Sequence, residues 1–135
     1  MFKTVLFPVD MSTESQQVAS TVLELVKLHQ SRLIVLSVVE PSPEEQTPPS
    51  RQTSPEAVAE LLAQAKERFS SAGINTETLE REGQPAFIIC DVADEINADL
   101  IVMGCRGVGL IEEVQEDSVA ARVINLSPCP VLIVP

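Results

Sequence analysis

The chain has 135 residues, enough for one compact domain, and its apolar fraction of 44% and charged fraction of 21% are those of an ordinary soluble globular protein. Nine basic against twenty acidic residues leave a net charge of −11, which repels a phosphate backbone, and neither Trp nor Tyr is present to stack bases; the composition argues against nucleic acid as a partner. No apolar run approaches the roughly 20 residues of a spanning helix, and the apolar start from Met1 to Val9 is short and meets Pro8 and Asp10, so we expect no membrane anchor, no export signal and a cytoplasmic location.

Thr4 to Val9 opens the chain as a continuous β-branched and aliphatic run, the pattern of a strand buried on both faces of a parallel sheet. Val18, Val22, Leu25 and Val26 then recur at helical spacing, and Leu33 to Val39 is a second buried strand. Between Pro41 and Ser54, four prolines stand among Ser, Thr, Gln and Glu, a composition that resists regular structure. This marks 41–54 as a proline-rich loop within the domain, either a lid over the site or a surface insertion. Val58, Leu61, Leu62, Ala65 and Phe69 outline the next helix, and Ile74 to Leu79 alternates weakly as a third strand before a turn at Gly83. Pro85 opens a helix that carries Ile89, Val92, Ala93 and Ile96 inward. Leu100 to Met103 and Val131 to Val134 read as the last two buried strands, separated by a helix from about Ser118 with Val119, Val123 and Leu126 on one face. The order βαβαβαβαβ, joined by right-handed crossovers, predicts one α/β domain over residues 1–135. Its architecture is a Rossmann-like five-stranded parallel sheet with helices on both faces and a ligand crevice beyond the strand carboxyl ends.

Several chemistries are excluded by what the chain lacks. His29 is the single histidine and ends a helical run, where its charge suits the helix dipole, so no His pair or Ser-His-Asp triad is available. Cys90, Cys105 and Cys129 are odd in number and widely spaced, which suggests neither a disulfide framework nor a zinc site. Cys105 next to Arg106 is either a thiol activated for redox sensing or a packed, inert one. Asp10, at the end of the first strand, can accept from a ribose hydroxyl or hold a metal, or else Asp10, Ser12 or Thr13 caps the helix that follows. Gly104, Gly107 and Gly109 form a glycine turn between a buried strand and the helix at Ser118. Such a turn brings backbone close to a phosphate beside free helix amides, or serves as a plain βα connection. It is not a Walker loop, because no G-K-[ST] occurs and the lysines are Lys3, Lys27 and Lys66.

Taken together and in order, the run from Val5 to Asp10, the Gly83-Gln84-Pro85 turn, the run from Ala98 to Gly107, Ser118-Val119, and the run from Pro128 to Val134 resemble the universal stress protein family over the whole chain outside the proline-rich loop. The resemblance implies an adenine-nucleotide scaffold serving a regulatory or stress-response role, with ATP or AMP and Mg²⁺ as the ligands to consider. It places Pro8, Val9 and Asp10 near adenine and ribose, Val38 at the adenine edge, and Met103, Gly104, Arg106, Gly107, Ser118 and Val119 along the phosphate side. ATP-binding members carry G-x2-G-x9-G-[ST]; Gly104, Gly107 and Ser118 match it, while Asp117 stands in place of the third glycine. Glu112, Glu113 and Glu116 add three more carboxylates to that segment. A carboxylate about 4 Å from a phosphate charge costs ~4 kcal/mol at an effective dielectric of about 20, against ~0.3–2 kcal/mol gained from a helix dipole. Asp117 can also cap the helix itself and occupy the anion site, which favours AMP or another adenosine compound over ATP; a bound Mg²⁺ would reverse the local field. The resemblance further implies a homodimer through the C-terminal strand, whose apolar edge would otherwise need covering within one chain, and a regulatory protein partner.

Overall fold

A computed structural model describes residues 2–9, 13–39, 55–104 and 119–135. In chain order its elements are β1 (Thr4–Pro8), α1 (Thr13–His29), β2 (Arg32–Val39), α2 (Pro55–Ser71), β3 (Asn75–Glu82), α3 (Pro85–Glu95), β4 (Leu100–Gly104), α4 (Val119–Leu126) and β5 (Val131–Val134). The strands form one sheet in the order β3-β2-β1-β4-β5, and every pairing is parallel.

The continuous apolar runs explain the layers. Alternation along β1 sends Val5 and Phe7 to one face and Leu6 to the other, and β2 and β4 divide in the same way. One face buries Val5, Phe7, Leu33, Val35 and Val102 against Val18, Val22 and Val26 of α1 and Val58 and Phe69 of α2. Phe7 and Phe69 meet edge to face with ring centres 6.2 Å apart. The opposite face buries Leu6, Ile34, Leu36, Ile101 and Met103 against Ile89, Val92 and Ala93 of α3 and Ala120 and Val123 of α4. The result is the doubly wound three-layer arrangement that continuous apolar strands demand.

At the amino-terminal end of the sheet, polar side chains fix the strand starts. The Asp99 Oδ2 accepts from the backbone N–H of Lys3 and of Thr4, each at 3.0 Å, so one carboxylate ties β4 to β1. Arg32 of β2 donates through its fork to Glu77 of β3, with Nη2 to Oε1 at 3.0 Å, and that hydrogen bond holds the Glu77 carboxyl below its ordinary range. His29 closes α1 as expected and sets its ring edge-on to Phe2 at 5.3 Å.

Several elements differ from the sequence expectation: β1 ends at Pro8 rather than Val9, and β2 starts at Arg32 rather than Leu33. β3 starts at Asn75 and runs on through Glu80, Arg81 and Glu82, because it pairs with β2 along its full length, from Arg32 with Asn75 to Val39 with Glu82. As an outer strand it needs less apolar cover, so the loss of alternation after Leu79 does not end it. β4 takes in Gly104, which pairs with Val134. α4 is described from Val119, and its expected start near Ser118 lies outside the described residues. β5 is not buried on both faces: as the last strand in the order it stays partly exposed, Leu132 at 37%.

Candidate functional site

The strand order reverses between β1 and β4, since α1 leads from β1 to β2 on one side while α3 leads back across the sheet to β4. In doubly wound sheets such a reversal is where ligands are expected, beyond the carboxyl ends of the two strands. Pro8 and Val9 stand at the end of β1, Met103 and Gly104 at the end of β4, Val38 one residue from the end of β2, and Val119 at the start of α4. The structure thus brings these six sequence-predicted residues to one pole of the sheet. The other five, Asp10, Arg106, Gly107, Asp117 and Ser118, lie outside the described residues, as do Cys105 and the 41–54 loop.

Registers show how the six are held. β1 pairs with β4 through Val5 with Leu100 and Leu6 with Ile101, a count that sets Pro8 opposite Met103 two residues on. The Val9 N–H donates to the Leu36 carbonyl at 2.8 Å, so the β1–β2 ladder continues past the last strand residue. Pro8 has no N–H to donate, which suits a strand end where the ladder is about to stop. Val9 packs on the α1/α2 core, whereas Val38 and Val119 pack on the α3/α4 core, so both layers contribute residues to this pole. Met103 is buried at 6% exposure within the α3/α4 core, which leaves its backbone as the part it can offer a ligand.

The β3–α3 junction borders the same pole. Gly83 donates its N–H to the Val39 carbonyl at 2.9 Å, and Gln84 caps α3 by accepting from the Phe87 N–H at 3.1 Å, with Pro85 in the first turn. Sequence reasoning marked the turn and the proline but missed Arg81, the register partner of Val38. Its guanidinium reaches Glu95 on α3 at 3.4 Å, a surface pair 14 residues apart that no local pattern signals.

Chemically, the described residues at this pole can pack against a flat ring and present backbone donors and acceptors, because Pro8, Val9, Val38, Gly104 and Val119 are apolar. The two described thiols sit elsewhere: Cys90 is buried with Sγ 4.0 Å from the Val123 carbonyl, and Cys129 lies half-buried with Sγ 3.8 Å from Ser127 Oγ. Burial pushes both thiols above their ordinary range; the Ser127 hydroxyl offsets this only in part for Cys129. Among the described residues, no group of three or more His, Cys, Asp or Glu is placed to hold a metal, and no helix is long and apolar enough to cross a membrane.

The comparisons with known proteins agree with this fold. The model of the Universal stress protein family matches residues 1–135. A universal stress protein of Synechocystis is 62% identical over all of this chain and 87% of its own length, and one of Bacillus subtilis is 33% identical over 99% of both. Among solved structures, a universal stress protein in complex with cAMP superposes with a TM-score of 0.79 at 26% identity, covering 99% of this chain and 97% of its own.

Proposed function

The chain belongs to the universal stress protein family, and from that premise we propose that it is a cytoplasmic regulatory, stress-response module whose crevice takes an adenosine monophosphate in preference to ATP. The observation that supports this reading is the pairing of apolar strand-end residues at one pole of the sheet with an acidic segment in the sequence that follows β4. Pro8, Val9 and Val38 offer surface for a base and a ribose, with Asp10 positioned in sequence to accept from the ribose hydroxyls. On the phosphate side, Met103, Gly104, Arg106, Gly107, Ser118 and Val119 retain the loop pattern, but Asp117 replaces its third glycine and Glu112, Glu113 and Glu116 precede it.

Charge then ranks the ligands. A cyclic phosphodiester carries about one negative charge, a monophosphate about two and a triphosphate about four, so repulsion by four carboxylates grows steeply along that series. The solved relative holding cAMP carries the least charged of the three classes. Asp117 as a helix cap would satisfy the amides that a γ-phosphate needs, leaving the adenosine half of the site in use. Titrating nucleotide-free protein with ATP, with and without Mg²⁺, tests this. Micromolar ATP binding that requires Mg²⁺ would replace the reading with an ATP switch with slow hydrolysis, in which Asp10 or an acidic residue of the loop would hold the metal.

The module works as a homodimer through β5 and signals to a protein partner. The two sheet edges support the first part: β3 guards its edge with Glu77, Glu80, Arg81 and Glu82, while β5 is uncharged and partly exposed. Leu132→Asp places a charge on the edge strand, and light scattering should then read a monomer with its helical circular dichroism intact. A variant that stays dimeric would rule out β5 as the interface.

A further inference from the structure

We draw no further inference here: the strongest candidate, the exposed apolar side chains Phe87 of α3 and Ile124 and Leu126 of α4, carries nothing because nothing in the structure shows what covers them, and the exposed Leu132 of β5 belongs to the pairing already proposed.

Discussion

Gly83 joins β3 to α3 with φ at +146°, where its N–H reaches the Val39 carbonyl and sets the position of the first turn of α3 at the carboxyl pole of the sheet. A Cβ at this residue would lie 2.9 Å from both Cγ1 and Cδ1 of Ile88, which packs against the α3/α4 core. Holding a non-glycine residue in a region so sparsely populated costs ~1–3 kcal/mol. Displacing Ile88 from its packing adds ~1 kcal/mol, the lower end for overfilling a core, because part of the strain escapes into a flexible side chain. Gly83→Ala should therefore destabilise the domain by ~2–4 kcal/mol, a large share of a typical ~5–15 kcal/mol, and lower Tm by roughly 6–16 °C. Urea unfolding followed by far-ultraviolet circular dichroism reads this directly. In an Ile88→Ala background the contact is gone and only the backbone strain remains, so the cost of Gly83→Ala should fall by about the contact's ~1 kcal/mol. A Gly83→Ala variant within ~0.5 kcal/mol of wild type would refute the reasoning about φ, and an equal cost in both backgrounds would refute the contact with Ile88.

Two further outcomes follow from the side chains that fix the fold. Asp99→Ala strips one acceptor from two backbone N–H groups and should cost ~2–3 kcal/mol in urea unfolding, whereas Asp99→Asn keeps an amide oxygen and should cost less than half as much; equal effects would show that the carboxylate clasp does not hold β1 to β4. For the thiols, a Cys105→Ser variant isolates Cys90 and Cys129, and burial should keep both protonated at pH 7, with iodoacetamide alkylation slower than for a free thiol and rising only above its usual range near pH ~8.5. The sign for stability follows: with folded thiols raised, the unfolded chain loses its protons first, so stability falls as pH climbs through the ordinary thiol range. Alkylation at pH 7 as fast as that of a free cysteine would contradict the burial.

Much of the fold is legible because its physics is local. Val5 to Pro8, Leu33 to Val39 and Leu100 to Met103 are apolar on both faces, which only a helix-covered parallel sheet can satisfy, and Pro85 announces α3 within one residue. The ends of β3 were not legible, since Glu80 to Glu82 are strand only by virtue of pairing with Ser37 to Val39, a contact more than 40 residues distant in sequence. The exposure of β5 depends likewise on its rank in the sheet, which the runs alone do not reveal. For the site, strand-end residues such as Pro8, Val9 and Gly104 could be placed from topology, because any βα fold opens at its strand carboxyl ends. Arg81 escaped notice because its ionic partner Glu95 sits at the far end of a separate element, a contact no local pattern signals.

The preference for a monophosphate is tested most directly by calorimetric titration of nucleotide-free protein and of its Asp117→Gly variant with AMP and with ATP, in the absence of Mg²⁺. Wild type should bind AMP at least about tenfold more tightly than ATP, equivalent to ~1.4 kcal/mol or more, and Asp117→Gly should close that gap by about tenfold, since it removes one charge and restores close backbone approach. Wild-type protein that binds ATP as tightly as AMP, or a gap that Asp117→Gly leaves unchanged, would contradict it.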